Sequence, residues 1–271
     1  MCNACIIEGV RQRAQSRRSF LARSAAAGAA ALAASVVSAR ETLAQSSGKV
    51  VDLTHTFDDK FPTFDGKPGI AMEKVEDFKT NGYTIFKLTI FEHSGTHIDA
   101  PLHFTEAGTS VADLAPENLV CPLCIVDIKA KAKDDPNAMV MKSDIEAWVS
   151  ANGAIPKGAC VAMNSGWAAK VGDPGYRTLP DGTFAFPGFS KEAVDLLGEA
   201  GAAAIAVDTL SLDPGNSKDF AVHHTWLPAG RYGIENVANL DLLPVKGATV
   251  FVGAPKHRGG TGGPARVMAT F

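Results

Sequence analysis

The chain lacks the marks of several common function classes. No G-x-S-x-G elbow surrounds Ser165 in Asn164-Ser165-Gly166, so a serine-hydrolase nucleophile is not supported. No basic stripe runs through a sequence whose net charge is -3, which argues against a nucleic-acid partner. There is no internal repeat and no low-complexity tract. The apolar run from Ala25 to Val37 is too short and too alanine-rich for a stable membrane anchor. Cysteines number only five, and of these Cys121, Cys124 and Cys160 lie beyond the N-terminal segment, so they cannot all pair with one another. Cys121-Pro122-Leu123-Cys124 interrupts a strand-like run and lacks the helix that opens at a thioredoxin motif, so buried apolar thiols are the better reading.

Against that background the histidines stand out. The chain has seven, and three fall in the segment His93-Ser94-Gly95-Thr96-His97-Ile98-Asp99-Ala100-Pro101-Leu102-His103 beside an aspartate. Imidazole nitrogens and a carboxylate are the ligand set of zinc, manganese and related divalent ions. Gly95 and Pro101 oppose a regular helix here, and in extended backbone His97 and Asp99, two apart, share a face. They can then grip one ion, with a turn at Gly95 folding His93 back as a third ligand. The alternatives are surface-loop histidines and an Asp99 that merely caps a turn.

A second cluster, Phe220 to Leu243, carries His223, His224 and Glu235 among apolar residues. It can complete the first site, and Glu235 can supply a carboxylate for a higher-coordinate or two-metal centre. If His223 and His224 lie in extended backbone they point to opposite sides, so only one is expected to be a ligand. The glycine-rich stretch His257 to Pro264 resembles a phosphate loop, but such a loop should open a helix. This one meets Pro264 and an apolar strand-like tail, Val267 to Phe271, and reads as a tight turn near the site.

The N-terminus reads as an export signal. Ser16-Arg17-Arg18-Ser19-Phe20-Leu21 precedes the small apolar run, with Ala39 or Ala44 at candidate cleavage points. The expectation is a twin-arginine signal over residues 1–44, a periplasmic protein, and one domain over residues 45–271. Strands are expected at Val50–His55, Tyr83–Phe91, Leu119–Ile128, Ala159–Asn164, Ala202–Val207 and Ala248–Gly253. One helix is expected after a Ser143/Glu146 capping box, ending at Gly153, and another from a Ser190 cap to Gly201. Strands alternating with a few helices and many Gly and Pro turns give an α/β fold.

These residues carry a family resemblance. The pattern HxGTHxDxPxH, complete as His93, Gly95, Thr96, His97, Asp99, Pro101 and His103, is similar to that of the cyclase family of metal-dependent hydrolases, which includes bacterial kynurenine formamidase and isatin hydrolase. The likeness extends through DLTH at 52–55, FPG at 186–188, VDTLSLD at 207–213, ENVANLD at 235–241 and GGTGGPAR at 259–266. It implies a single mixed α/β domain of the swivelling β/β/α type and a homo-oligomer. It implies one or two ions, zinc or manganese, with His93, His97 and Asp99 as ligands and Asp99 able to bridge. The spacing of a later histidine twelve positions before a metal-binding glutamate fits His223 and Glu235, not His224. His103 becomes the proton shuttle, and Phe64 the substrate aromatic, although phenylalanine stands where relatives carry a larger ring and Asp65 where they carry proline. The activity so implied is hydrolysis of a carbon–nitrogen bond in an aryl formamide or cyclic amide by metal-activated water. The alternatives are a metal-dependent dehydratase or cyclase, and a periplasmic metal-binding protein without turnover.

Overall fold

The computed structural model describes residues 48–271; the expected export signal with its candidate cleavage points, Cys2 and Cys5 lie outside the described residues. Among the described residues no helix is long and apolar enough to cross a membrane. The strands in chain order are β1 (Val50–Asp52), β2 (Ile70–Glu76), β3 (Ile85–Ile90), β4 (His97–Asp99), β5 (Val120–Asp127), β6 (Met139–Val140), β7 (Cys160–Asn164), β8 (Gly188–Phe189), β9 (Ala204–Val207), β10 (Tyr232–Glu235), β11 (Ala248–Gly253), β12 (Gly262–Pro264) and β13 (Arg266–Thr270). Nine of them form one mixed sheet in the order β1-β13-β11-β5-β7-β9-β10-β4-β12. The centre, β5-β7-β9-β10, is parallel, and the flanks are antiparallel.

Alternation of side chains sorts this sheet's two faces. On β7 and β9 the small Cys160, Ala162, Ala204 and Ala206 face one cluster, and the larger Val161, Met163, Ile205 and Val207 face the other. The first cluster joins Val51, Val250 and Val267 near one end of the sheet to Ile98 and Ile234 near the other, so the sheet curls over its own core. The Ala238 amide closes the curl by donating to the Leu53 carbonyl at 2.9 Å. The second cluster packs under two helices, Lys142–Asn152 through Ile145 and Trp148 and Lys191–Glu199 through Val194 and Leu197. The result is the expected single mixed α/β domain.

Several expectations shift in detail. The first helix begins at Lys142 with Met141 as its N-cap; the Asp144 carboxylate accepts the Met141 amide at 2.7 Å, so the Ser143/Glu146 capping box does not form. Ser190 does cap the second helix, its hydroxyl accepting from Ala193 N at 3.2 Å. The first strand stops at Asp52: the Leu53 amide still donates to the Val267 carbonyl at 2.9 Å, but the Thr54 hydroxyl takes the Val267 amide at 2.8 Å in place of a backbone carbonyl, and Thr54 bridges to Val237. Cys121 and Cys124 lie on opposite faces of β5, and these two and Cys160 are buried free thiols.

The β2-β3 hairpin stands apart from the main sheet. Its register puts Met72 opposite Leu88 and Lys74 opposite Phe86 on one face, with Glu73 opposite Lys87 on the other. The apolar face remains exposed, Met72 at 57% and Leu88 at 48%.

Candidate active site

The motif strand β4 is central to the site. His97 and Asp99 sit two apart in extended backbone and point the same way, while Ile98 between them enters the core. β4 is held between β10 and β12, with Glu235 opposite His97 on β10 and Gly262 opposite Asp99 on β12. The register therefore brings Glu235 beside His97 across more than a hundred residues of chain. Just before β4 the backbone turns at Gly95 in the left-handed region, φ 66°, where a Cβ would also meet the Phe57 ring at 2.9 Å. That turn returns His93 to the strand, where its Nδ1 lies 2.7 Å from Asp99 Oδ1.

His223 arrives on the short helix Ala221–Trp226. The helix changes the expected relation between the paired histidines: they are not on opposite sides of an extended strand but one helical step apart. His223 is buried in the cluster, whereas His224 is exposed and rests edge-on against Phe104. His223 Nε2 lies 3.3 Å from Glu235 Oε1 and 3.7 Å from Asp99 Oδ2. His97 Nε2 lies 3.3 Å from both Asp99 Oδ1 and Glu235 Oε2.

These short distances are not good hydrogen bonds. His97 Nε2 and Asp99 Oδ2 are buried and lack an aligned partner. An unsatisfied buried polar atom costs roughly 1–3 kcal/mol, so such groups converging on a common space require a shared partner. His97, Asp99 and Glu235 offer atoms all within 4.8 Å of one another, and so do His93, Asp99 and His103. Asp99 belongs to both groups, the position a bridging ligand would need. The donor set, imidazoles and carboxylates only, fits zinc or manganese.

The electrostatics agree. Burial disfavours a charged His97, but the close carboxylates of Asp99 and Glu235 outweigh it and raise the ring to about 10. His223 is raised well above the ordinary range: burial opposes, and Asp213, Asp99 and Glu235 prevail. Burial also opposes the charge on Asp99, yet His223, His93 and His97 hold its carboxyl well below the usual carboxylate range. The cluster thus demands positive charge, which protons or a divalent cation can provide. His103 is different. It stacks on His93 with ring centroids 3.7 Å apart, and desolvation lowers it to about 4.

Residues that sequence reasoning did not single out orient the ligand candidates. The Asp213 carboxylate meets His223 Nδ1 at 2.6 Å, leaving Nε2 for the cluster. His97 Nδ1 is turned to the Gly95 carbonyl at 2.9 Å, and that carbonyl also accepts from Asn236 Nδ2 at 2.9 Å. Tyr176 in turn donates to Asn236 Oδ1 at 2.7 Å. Asp213 lies within the VDTLSLD run and Asn236 directly follows Glu235, but neither pattern tells which backbone or ring atom it will face.

The cluster forms the floor of a cavity of about 280 Å³ whose walls include Phe64, Phe104, Phe220 and Leu210. Phe64, the aromatic that the family resemblance implied for the substrate, is stacked on Phe184 at 4.7 Å and 37% exposed. Phe104 and Phe220 had given no earlier signal beyond their nearness in sequence to His103 and His223. Phe220 occupies the left-handed region, φ 49°, an uncommon conformation for a bulky residue. Among the described residues no lysine or arginine lines the cavity.

A curled mixed sheet that buries imidazoles and carboxylates beneath an aromatic cavity defines a class of α/β enzyme folds able to hold divalent cations. The particular member is given by sequence: the chain belongs to the Cyclase family, whose pattern matches residues 51–214. It is 27% identical over 215 residues to the isatin hydrolase of Roseibium aggregatum, covering 74% of this chain and 81% of that one. It is 28% identical over 177 residues to the kynurenine formamidase of Maricaulis maris, covering 65% and 76%. Among solved structures, isatin hydrolase A from Ralstonia solanacearum superposes with a TM-score of 0.79 at 31% identity, over 87% of this chain and 96% of that one.

Proposed function

We propose that this protein is a metal-dependent hydrolase of a carbon–nitrogen amide bond, acting on a compact, uncharged aromatic amide such as a cyclic amide or an aryl formamide. The observation that carries the reading is the convergence of His97 Nε2 and Asp99 Oδ2, both buried and without an aligned partner, on the space also faced by Glu235 and His223. His93, His97, Asp99, His223 and Glu235 are the residues that would hold zinc or manganese, as one ion or two. Such an ion lowers the pKa of water towards neutrality and polarises a carbonyl as negative charge develops on its oxygen.

The protein's own groups account for the rest. Phe64, Phe104 and Phe220 bind an aromatic ring and exclude water above the cluster. His103, which lines the cavity, takes a proton from the attacking water and delivers it to the departing nitrogen. Amide nitrogen leaves poorly unless protonated, so this second role is essential. Among the described residues no lysine or arginine stands in the cavity wall to pair with a carboxylate lying away from the histidine–carboxylate floor, which supports a neutral substrate over a zwitterionic one. The isatin hydrolase and kynurenine formamidase relatives support amide hydrolysis over simple metal storage, as does the aromatic cavity.

Two further readings accompany this one. The Arg17-Arg18 motif and the apolar run behind it support export to the periplasm by the twin-arginine route. The uncovered apolar face of the β2-β3 hairpin supports a homo-oligomer, since an isolated two-stranded hairpin is at best marginally stable in water.

The test is metal content per chain of purified protein, beside His97→Ala prepared identically, followed by turnover of isatin-like cyclic amides and aryl formamides in ¹⁸O-labelled water. Metal in the parent, its loss in the variant and one labelled oxygen in the product support the reading. Turnover without label would favour dehydration or cyclisation, and stoichiometric metal unaffected by His97→Ala would sink the ligand assignment.

A further inference from the structure

The glycine-rich segment Gly259 to Gly263 builds a hydrogen-bonded path from the surface to the cluster. The exposed His257 ring meets Glu92 Oε1 at 2.5 Å. Glu92 Oε2 accepts the Thr261 amide at 3.2 Å and lies 2.5 Å from the Thr261 hydroxyl. The same hydroxyl oxygen is 2.8 Å from His93 Nε2, and His93 Nδ1 is 2.7 Å from Asp99 Oδ1.

Donor counting gives this path a direction. An amide N–H can only donate, so Glu92 Oε2 is acting as an acceptor, and the single hydroxyl hydrogen of Thr261 goes to it as well. The Thr261 oxygen then presents only lone pairs to His93, and His93 Nε2 must carry the hydrogen. A neutral His93 is therefore bare at Nδ1, the atom that faces Asp99. A lone pair against a carboxylate oxygen at 2.7 Å is stable only when positive charge joins them.

The glycines make this approach possible. A Cβ on Gly262 would lie 2.7 Å from His93 Cε1 and 2.2 Å from the Ile98 carbonyl. One on Gly260 would lie 2.1 Å from His257 Nε2 and 2.8 Å from Glu92 Oε1. Thr261 itself is fixed by its carbonyl, which accepts the Ala100 amide at 2.8 Å. The motif that resembles a phosphate loop is shaped to press a threonine hydroxyl against a histidine.

We infer that Thr261 and Glu92 are positioning residues that lock His93 as the Nε2–H tautomer, so that His93 offers Nδ1 to the cation shared with Asp99. The inference rests on the metal-centre reading for its consequence, but its tautomer can be tested without metal. Partners that orient a ligating histidine typically change metal affinity by about 10–100-fold when removed.

The experiment is long-range ¹H–¹⁵N correlation spectroscopy of the full chain, first chelated and then loaded with zinc, with His93 signals assigned by their loss in His93→Gln. Thr261→Val, Thr261→Ser and Glu92→Gln are compared by zinc competition against a chromophoric chelator. The expected result is a protonated Nε2 on His93 in both states, with the Nδ1 signal moving on zinc addition. Thr261→Val should weaken zinc by about tenfold or more and disturb the His93 pattern, and Thr261→Ser should restore both. A His93 unprotonated at Nε2, or coordinating through it, would overturn the inference while leaving a metal centre intact. Zinc affinity and His93 signals unchanged in Thr261→Val would overturn the positioning role. Failure of the parent to bind zinc would defeat the metal reading, and the His93 spectrum of the chelated protein would still decide the tautomer.

Discussion

Asp213 holds His223 by both ring and backbone. Its Oδ2 lies 2.6 Å from His223 Nδ1 and accepts the His223 amide at 3.1 Å, while Oδ1 accepts the Val222 amide at 2.8 Å. One buried carboxylate thus secures the start of a six-residue helix and sets the ring that helix carries. So short a helix has little stability of its own. Its fixed position comes from this carboxylate and from the burial of Val222 and Trp226.

Asp213→Asn should therefore keep the fold, since an amide oxygen can still accept at the helix start. It should weaken metal binding by about 10–100-fold, because the ring loses its charged partner. Chelator competition with circular dichroism as a folding control checks this. Parent-like affinity would mean that Asp213 serves only the helix.

The charge of the cluster gives a pH dependence with a definite sign. His97 is raised from an ordinary value of 6.5 to about 10, burial opposing and the Asp99 and Glu235 carboxylates prevailing. A histidine whose folded pKa is raised stabilises the protein fully below its unfolded pKa and loses that contribution as pH rises through the folded one. The chelated protein should accordingly lose Tm between pH 6.5 and 10. A bound cation replaces the protons, so the gain in Tm on adding zinc should widen over the same range. A zinc-induced gain independent of pH would contradict this, as would one that narrows.

How much of this was legible in sequence depends on the distance over which each residue acts. His93, His97, Asp99 and His103 lie in one segment, and β4 delivers the expected pairing of His97 with Asp99 because a strand's period is two. The His223 and Glu235 cluster was visible as composition, but its meeting with the first depends on β10 lying beside β4, a register that no local pattern encodes. The geometry offered for His223 and His224 assumed extended backbone, and the helix there overturns it. Asp213, Asn236, Thr261 and Glu92 act through single atoms of distant partners, and their types are ordinary for loops. The hairpin's exposed apolar face escaped because alternation predicts which residues share a face, not whether that face is covered.

His103 lies in the wall of the cavity, stacked on His93. His103→Ala should retain metal and lose turnover by about 10²–10⁴-fold, the usual worth of a positioned acid–base group. Metal analysis and single-turnover kinetics separate the two effects. Because His103 also lies within ligand reach of His93 and Asp99, loss of metal would make it a ligand and not a proton shuttle.

Phe64 is held between the cavity and Phe184, and its carbonyl accepts from Arg177 Nε at 3.0 Å. Phe64→Ala should raise KM for an aromatic amide by about fivefold, the equivalent of an aromatic contact of about 1 kcal/mol, with kcat less affected. Phe64→Tyr, which keeps the ring, should stay near the parent. An equal loss of kcat and kcat/KM in Phe64→Ala would place its contribution in the transition state.

The hairpin offers a test independent of the chemistry. Met72, Phe86, Leu88 and Ile90 share one face and are all at least 41% exposed, while Glu73 and Lys87 pair at 3.3 Å on the other. An amphipathic hairpin with its apolar side in water is poorly stabilised, and burying that side against a second copy removes apolar area at about 25 cal/mol per Å². Leu88→Glu places a charge in that face without touching the metal cluster, so it should shift the protein towards monomer in light scattering while leaving metal stoichiometry unchanged. Glu73 and Lys87 pair on the opposite face, so the hairpin should keep its register in the variant. If the parent is already monomeric at micromolar concentration, the apolar face is not a self-association surface. If Leu88→Glu remains oligomeric, the interface lies elsewhere on the domain.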